Sequence, residues 1–391
     1  MKIVLTIDYS PWSRYSGGAQ LSTHYLASSL GQRGHSVHVV YTKPPWERVP
    51  VPDTLPYRLH WAILPALRSN RRATFRSLSA LSVARVVRDI IESQEGSVVI
   101  HCNGEEGGCL GAVSRELNCP LVCTPRHVRY PTSFLEWDKM SIGRYLLQFL
   151  TEPKYLMQRR AARAADLVAP ASKAAATLTQ EALGIDPEKI TVVKNGVSGE
   201  YFQREPGYDP EGFLIFFGRI DEVKGVGTLI RAIELLGSVA EKIVIVGRGP
   251  EKARYKRLVD AAGMSDRITF RDWMTQADLA RFLKEAQLAV LPSRHESFGV
   301  AIANAMASGL PVISTRVDAI PELIEHGVTG YLVEPDDPVA LANGINLLTS
   351  DKDYASGLAS KGAAFVRSNL TWDKTAEKFE AIYASLLAAT G

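Results

Sequence analysis

The stretch LAVLPSRHESFGVAIANAMASGLPVIST, residues 288–315, carries the pattern that predicts the fold. Residues 288–291 form a short apolar run that ends at Pro292, which is typical of a strand buried on both faces. A polar turn follows, and apolar residues then recur at helical spacing over 298–307. A glycine and a proline mark the end of that helix, and a second apolar run comes next. This order of strand, turn, helix and strand predicts a parallel sheet.

The turn and the helix that follows it place a carboxylate, an anion site and an amide at one mouth. Glu296 supplies a carboxylate, Ser297 is expected to cap the helix, and Asn304 lies seven residues after Ser297, about two turns, on the side of the helix entrance. The first helical amides have no intrahelical partner, so together with the helix dipole they favour a phosphate. These amides are expected to be those of Phe298, Gly299 and Val300.

The same stretch resembles the signature of retaining GT-B glycosyltransferases of the family 4 type. In that signature a Glu-x-Phe-Gly sequence is normally followed by a second Glu eight residues after the first. Glu296, Phe298 and Gly299 fit it, as do residues 305–312, and Asn304 stands at the position of the second Glu. The resemblance implies that Glu296 holds hydroxyls of the donor sugar. It also implies that Asn304 hydrogen-bonds the ribose more weakly than a carboxylate would, which predicts reduced donor affinity.

Composition and charge describe an ordinary globular protein. The chain has 391 residues, 46% hydrophobic and 22% charged, and this length predicts two domains or slightly more. A net charge of +3 gives no indication of nucleic-acid binding. No apolar run reaches the ~20 residues that a membrane-spanning helix needs. The apolar run at the N-terminus meets Asp8 too early for a signal peptide, so we expect a cytoplasmic protein.

The cysteines lie in one segment of the chain and contain no Cys-x-x-Cys pair. They are Cys102, Cys109, Cys119 and Cys123. Buried thiols in strands and turns are the favoured interpretation, and a zinc site completed by His101 or His127 is the less favoured one. Disulfides are not expected in a reducing compartment.

The N-terminal half begins with another strand–loop–helix–strand unit. Residues 2–7 predict a strand, Gly17 and Gly18 end the loop, and a helix over 19–31 and a strand over 37–41 follow. Such glycines let the backbone approach a phosphate or a sugar, although a tight turn alone explains them equally well. The region is similar to the acceptor domain of the same family, and we assign Gly18 to donor binding.

Polar residues follow two further predicted strands, at the ends where α/β sheets bind ligands. Asn103 follows the first of these strands, and Arg126 and His127 follow the second. We expect all three on the acceptor side, where Arg126 and His127 would meet an acceptor or a donor phosphate. A hydrogen-bonded loop histidine is an equal alternative. The family often has a histidine where this chain has Asn103.

Three other segments of this half carry weaker signals. Residues 43–67 contain six prolines and are expected to be irregular. Residues 190–193 are expected to form a strand that leads into the second domain. The four arginines of residues 67–76 favour a solvated helix face, with anionic lipid headgroups or a phosphorylated acceptor as the alternative.

The C-terminal half restarts the pattern with a strand over 213–217 and a helix over 226–236. Arg219 and Lys224 lie in the loop between this strand and this helix, where two cations can bind a diphosphate. A basic loop without a ligand is the alternative interpretation. The loop is close to the donor-phosphate motif of the family. Trp273, which follows a later predicted strand, is expected to border the nucleobase.

Two motifs of this half are discounted. Residues 247–250 superficially match a dinucleotide fingerprint, but Lys252 occupies the place of the third glycine, so NAD binding is not expected. Asp351 and Asp353 match the Asp-x-Asp pattern of other glycosyltransferases, but they lie in a charged stretch and are read as surface residues.

These features predict two Rossmann-like domains facing each other across a cleft, the GT-B fold of the α/β class. Residues 1–198 are expected to bind the acceptor and residues 199–372 the nucleotide-sugar donor, while 373–391 form a helix that crosses back to the first domain. The resemblance, which spans nearly the whole chain, implies the chemistry. It is a retaining hexosyl transfer from a nucleotide-diphosphate sugar to a hydroxyl of a glycan, a lipid-linked glycan or a small-molecule glycoside.

Within this activity a UDP-sugar is favoured as donor and a GDP-sugar comes second. The catalytic residues are expected to be Glu296, Arg219 and Lys224. Because two cations and the helix amides would offset the charge of the leaving diphosphate, no metal and no cofactor is expected. Two alternatives stay open: a binding or regulatory protein with weakened catalysis, and another enzyme of the same architecture, such as a nucleotide-sugar epimerase or a phosphorylase.

Overall fold

The structure, a computed structural model, divides the chain into two compact units. One unit comprises Met1–Gly196 with Trp372–Gly391, and the other comprises Val197–Thr371. The described residues are 1–13, 16–65, 76–93, 95–126, 128, 154–203, 211–237 and 242–390. His127 and residues 67–75 of the arginine-rich segment therefore lie outside the described residues.

In the described ranges, twelve strands form two parallel sheets of six strands each. The first sheet consists of β1 (Lys2–Ile7), β2 (Ser36–Lys43), β3 (Arg58–Ile63), β4 (Val98–Cys102), β5 (Leu121–Cys123) and β6 (Leu167–Val168). The second consists of β7 (Phe213–Phe217), β8 (Ile243–Val246), β9 (Ile268–Arg271), β10 (Ala286–Leu291), β11 (Val312–Thr315) and β12 (Tyr331–Val333). Their strand orders are β3-β2-β1-β4-β5-β6 and β12-β11-β10-β7-β8-β9. Both are the order of a doubly wound Rossmann-like sheet, which confirms the predicted fold class.

Helices connect most successive strands in both units, whereas the described chain has no α-helix between β2 and β3 or between β11 and β12. They are α1 (Gly18–Gln32), α2 (Arg76–Glu92), α3 (Leu110–Glu116), α4 (Lys154–Ala164), α5 (Lys173–Leu183), α6 (Val226–Leu235), α7 (Lys252–Ala261), α8 (Gln276–Phe282), α9 (Val300–Ala307), α10 (Pro338–Ser350), α11 (Lys352–Asn369) and α12 (Trp372–Thr390). Among the described helices, none combines the length and the apolar character needed to cross a membrane.

The first sheet is buried on both faces, because helices cover each of them. Alternate residues of β1 enter opposite layers: Val4 packs with Ile100 and the helices α2 and α3, and Leu5 packs on the other side with α1. Helix α12 completes this second layer through Phe379 and Tyr383. The C-terminal helix therefore belongs to the core of the first unit.

The first and last residues of the second unit lie next to each other. The Val197 N–H donates to the Leu370 carbonyl at 2.8 Å, and Val197 forms an isolated parallel bridge with Thr371. Its central strand β10 is buried along its whole length. Helix α9 follows it and is buried at six of eight positions, as expected of a helix that is apolar on all sides.

Two sequence predictions about the first unit are wrong. The segment 43–67 contains β3, an edge strand paired with β2, because its prolines flank the strand without entering it. The segment 190–193 forms only one isolated bridge, between Val168 and Ile190. Thr191 and Val193 donate to the neighbouring segment, but Pro170 has no N–H to return a bond, so no regular ladder forms.

Replacing Phe379 by Ala should destabilise the first unit by about 3–5 kcal/mol, because it removes a buried ring from the layer between α12 and the sheet. Ser385, an exposed residue of the same helix, is the matched control, and Ser385→Ala should change stability by less than about 0.5 kcal/mol. Urea unfolding measures both. Equal effects of the two changes would show that α12 is not part of this core.

Candidate active site

The topology of the second sheet points to one ligand-binding edge. Strands β7 and β10 lie side by side at its centre, with Leu214 in register with Leu288. From there β8 and β9 extend to one side and β11 and β12 to the other. Open parallel sheets bind ligands at such a reversal of strand order, beyond the carboxyl ends of the strands. The loops that leave these two ends are residues 218–225 and 292–299.

These two loops approach each other closely. Gly225 has a φ of +69°, and a Cβ at this position would lie 1.8 Å from the carbonyl oxygen of Pro292. The Arg294 N–H donates to the Val223 carbonyl at 2.7 Å. A glycine is therefore required at 225 both for its left-handed backbone and for the contact.

The contact brings predicted catalytic residues together. The Lys224 ammonium pairs with Oε2 of Glu296, and their side chains are only 23% and 15% exposed, so water screens the pair incompletely. Asp221 accepts the Lys224 N–H at 3.2 Å and also pairs with the Arg219 guanidinium. Arg219 lies in the same loop and is half exposed.

The backbone of Glu296 is held by a residue that sequence reasoning missed. The Glu296 N–H donates to Oδ2 of Asp318 at 2.8 Å, and Nδ1 of His295 lies 2.5 Å from the same oxygen. The Ala319 N–H donates to the Glu296 carbonyl at 3.3 Å. Asp318 comes shortly after β11, and a polar residue at a strand end was the signal that could have identified it.

The prediction that Ser297 caps the helix is wrong. Helix α9 begins at Val300, and its N-cap is Gly299 with a φ of +96°, a left-handed conformation that glycine tolerates. The first intrahelical bond runs from the Ala303 N–H to the Gly299 carbonyl. The helix entrance therefore presents the amides of residues 300–302. Of the amides predicted to lie there, those of residues 298–300, only that of Val300 is among them.

The two remaining residues of this helix region are buried. Phe298 is 5% exposed, so its side chain belongs to the core and only its backbone is available to a ligand. Asn304 is 6% exposed, and its backbone carbonyl accepts from Ser308. Within the described residues the Asn304 side chain makes no hydrogen bond, so the amide keeps its full capacity for a ligand.

The remaining residues predicted to bind the donor are Trp273 and Gly18. Trp273 is 41% exposed in the second unit, and the Arg248 guanidinium lies 5.1 Å from its ring centroid in a cation–π contact. Gly18 is the first residue of α1 in the first unit, where Gly17 is the N-cap. The Gly17 N–H donates to Oε1 of Gln20 at 3.0 Å, which secures the helix start.

The acceptor-side residues of the first unit lie in contact. Oδ1 of Asn103 accepts from Nη2 of Arg126 at 2.8 Å and from its Nε at 3.3 Å. Nη1 of Arg126 donates to Oδ1 of Asn195 at 3.0 Å. The sequence predicted Asn103 and Arg126 on the acceptor side, and the structure adds Asn195 to them.

His101 is a structural residue of this region. Its Nδ1 hydrogen-bonds to the Tyr383 hydroxyl at 2.6 Å, and its Nε2 hydrogen-bonds to the Thr124 hydroxyl at 2.8 Å. Burial, with a smaller contribution from Arg126, lowers the pKa of His101 to about 3. The ring is therefore neutral at physiological pH and ties α12 to the strands β4 and β5.

Sequence reasoning assigned no role to Glu106, the most deeply buried carboxyl near these residues. It lies in the 3-10 turn Glu105–Gly107 after β4 and is 2% exposed. Burial first, and then the charges of Asp8 and Glu105, raise the pKa of Glu106 to about 8. A pair of glutamates directly after a buried strand was the signal that could have indicated it.

Three of the four cysteine thiols are buried, as the favoured interpretation predicted. Cys102, Cys119 and Cys123 are buried, and Cys109 is partly exposed. Cys102 and Cys123 lie in register on adjacent strands. Their mutual hydrogen bond and burial raise the pKa of Cys102 well above its usual value, so this thiol stays protonated.

Comparisons with known proteins cover both halves of the chain. A family model described as Glycosyl transferases group 1 matches residues 198–364, and one described as Glycosyltransferase Family 4 matches residues 16–200. An uncharacterized glycosyltransferase of Methanocaldococcus jannaschii is 26% identical over 98% of this chain and 98% of its own.

Two other relatives match this chain over about half of their own length. The N-acetyl-alpha-D-glucosaminyl L-malate synthase of Bacillus anthracis is 33% identical over 46% of this chain and 47% of its own. A D-inositol 3-phosphate glycosyltransferase of Streptomyces bingchenggensis is 32% identical over 52% of this chain and 49% of its own.

Solved structures share the fold over the whole chain. Sucrose-phosphate synthase of Thermosynechococcus elongatus superposes with a TM-score of 0.81 at 20% identity, covering 100% of both chains. HepE of Anabaena in complex with UDP superposes with a TM-score of 0.73 at 22% identity, covering 98% of this chain and 100% of that chain. These likenesses agree with the two doubly wound sheets.

Replacing Gly225 by Ala should destabilise the second unit by more than about 3 kcal/mol, because the new Cβ meets backbone in addition to adopting a positive φ. Gly237 also has a positive φ but no neighbouring atom within 4 Å, so Gly237→Ala should cost only about 1 kcal/mol. Urea unfolding gives the free energy of unfolding of both variants, and the difference between them measures the effect of the loop contact. A difference below about 1 kcal/mol would argue against that contact.

Proposed function

Since the chain belongs to the group 1 glycosyltransferases of the family 4 type, and is a transferase built of two Rossmann-like domains, we propose that it transfers a sugar from a nucleotide-diphosphate sugar to an acceptor hydroxyl with retention of the anomeric configuration. The donor is a UDP-sugar in the first place and a GDP-sugar in the second. The observation that carries this proposal is the contact between Lys224 and Glu296 at the switch point of the second sheet.

Lys224 is the residue proposed to hold the leaving diphosphate. Its ammonium is a mobile point charge that can exchange the Glu296 carboxylate for phosphate oxygens when donor enters. Arg219 is half exposed in the same loop and offers a planar fork to the same group. Both cations stabilise the negative charge that grows on the diphosphate as the glycosidic bond breaks, which is the work a metal ion does elsewhere.

Glu296 is proposed to accept hydrogen bonds from hydroxyls of the donor sugar. Its backbone is fixed at both ends, by Asp318 through the N–H and by Ala319 through the carbonyl. The backbone of Glu296 therefore stays in place while its carboxylate moves from Lys224 to the sugar. Such preorganisation lowers the cost of aligning the sugar for reaction.

Asn304 is proposed to bind a ribose hydroxyl. It lies on the second turn of α9, is buried, and has an amide without a hydrogen bond among the described residues. A neutral amide bonds a hydroxyl less strongly than a carboxylate does, so we expect a complete but weakened donor site. The amides at the start of α9 add a positive dipole end for the phosphates.

The relatives suggest acceptors to test first. Two of them are named for L-malate and for D-inositol 3-phosphate, and both molecules carry a hydroxyl together with an anionic group. We propose a hydroxyl-bearing acceptor of this kind, with a glycan or a lipid-linked glycan as the broader class. We also propose a cytoplasmic location; contact of residues 67–76 with a membrane surface stays a prediction.

One observation favours a second candidate function. Asn304 in place of a carboxylate also suits a protein that binds a nucleotide sugar without turning it over, with a regulatory role. Release of UDP from a UDP-sugar in the presence of candidate acceptors separates the two. Sustained release supports the transferase, and binding without release supports the regulatory protein. Interconversion of UDP-sugars without acceptor would instead indicate an epimerase.

Calorimetric titration with UDP, GDP and ADP, each with and without magnesium, is the first test of the donor site. We expect micromolar binding of UDP that does not depend on the metal. Lys224→Ala should weaken it at least about tenfold, because a charge-assisted bond to phosphate is lost. Lys284, an exposed lysine of the same unit, is the control, and Lys284→Ala should leave the affinity unchanged. Absence of binding to all three nucleotides would reject the proposed donor site.

Replacing Asn304 by Glu should tighten UDP binding about tenfold, since a carboxylate strengthens one hydrogen bond to the ribose by about 1.4 kcal/mol. Asn304→Ala should weaken the binding by removing that bond. The same titration measures both variants. Affinity that is unchanged or weaker in Asn304→Glu would exclude the ribose-binding role.

A further inference from the structure

The first unit contains a chain of hydrogen bonds that begins at a buried carboxyl and ends at an arginine. Oε1 of Glu106 accepts from the Thr6 hydroxyl at 3.0 Å and from the Asn103 N–H at 2.8 Å. Thr6 belongs to β1, and Asn103 directly follows β4. These are the two adjacent strands at which the order of the first sheet reverses. Glu106 therefore ties together the two strand ends that border the ligand-binding edge of this unit.

The second link fixes the orientation of the Asn103 amide. Nδ2 of Asn103 donates to the Thr6 carbonyl at 3.1 Å, so Oδ1 must face the other way, toward Arg126. Oδ1 then accepts two bonds from the Arg126 guanidinium, and Asn195 accepts a third. The orientation of the guanidinium thus depends on Asn103, and the position of Asn103 depends on Glu106.

Among the described residues, neutral groups hold the guanidinium. Its three hydrogen bonds there run to amide oxygens, and Arg126 forms no ion pair within the same ranges. One N–H on each terminal nitrogen has no described partner, which leaves two donors for a carboxylate or a phosphate. Burial lowers the pKa of Arg126 to about 10, as expected of a cation without a bound counterion.

We propose that Glu106 is a positioning residue for the acceptor: through Asn103 it aims Arg126 at an anionic group of the acceptor. This rests on the proposed function, because it concerns the acceptor of the same transfer. The acceptor class is then a hydroxyl-bearing molecule with a phosphate or a carboxylate.

The pH dependence follows from the groups around Glu106. Among the described residues, the charged and titratable groups that interact with Glu106 are Asp8, Glu105, Arg126 and Cys102. Because the pKa of Glu106 is raised to about 8, its carboxyl is neutral at pH 7 and gains a negative charge as the pH rises through that value. The added charge opposes an anionic acceptor, so acceptor affinity should fall between pH 7 and pH 9.

The test is calorimetric titration of the UDP-loaded full chain with D-inositol 3-phosphate, L-malate and the neutral myo-inositol. The two anionic probes should bind more tightly than myo-inositol and lose affinity about fivefold to tenfold between pH 7 and pH 9, the size expected for one nearby charge. Arg126→Gln should remove the preference for the anionic probes. Preference for one anion over the other identifies the phosphate or the carboxylate as the recognised group.

Variants at 106 separate positioning from folding. Glu106→Gln keeps the accepting oxygen but cannot ionise, so it should retain the anion affinity at pH 7 and abolish its fall at pH 9. Glu106→Ala loses both bonds and should weaken anion binding at every pH. Glu95→Gln, an exposed change in the same unit, should behave like the native chain. Circular dichroism checks the fold of each variant.

The outcomes are distinct for the two proposals. Equal binding of anionic and neutral probes, or the same pH profile in Glu106→Gln as in the native chain, would overturn the role of Glu106. Loss of UDP binding in the native chain would reject the proposed donor site. Titration of the nucleotide-free chain with the same probes would then decide the role of Glu106 alone.

Discussion

The close approach of Gly225 to Pro292 is the contact on which the second unit depends. A carbonyl oxygen occupies the space where any other residue would place its Cβ, so the two loops meet backbone to backbone. This joins the loops that leave the central strands β7 and β10, and it makes an ion pair of Lys224 and Glu296, which are 72 residues apart. The site proposed for the donor is therefore a consequence of a packing constraint between backbones.

The first unit also joins the ends of its two central strands, but with different chemical groups. Its central strands β1 and β4 are joined at their carboxyl ends by hydrogen bonds from Thr6 and Asn103 to the buried Glu106. The second unit places a charged pair at the equivalent point, whereas the first surrounds one cation, Arg126, with amide oxygens. Parallel strands deliver their carboxyl ends to one edge, so both units collect functional groups there.

Sequence reasoning identified the elements that have strong periodicity. The strand over 213–217 and the helix over 226–236 agree with β7 and α6 to within one residue. It failed where a single backbone conformation decided the outcome: the start of α9 at Gly299 depends on a positive φ. It also passed over Asp318 and Glu106, since Asp318 binds Glu296 and Glu106 binds Thr6, partners that lie 22 and 100 residues away in the chain.

The sequence by itself determined the two sheets, the helices between them and the loops that carry Lys224, Glu296 and Arg126, because hydrophobic periodicity and turn residues are local properties. Tertiary structure alone decided which groups meet and in which state of protonation. Burial of Glu106 raises its pKa and burial of His101 lowers the pKa of that ring. Burial and long-range pairing depend on how strands assemble, and a residue's neighbours in the sequence do not specify that assembly.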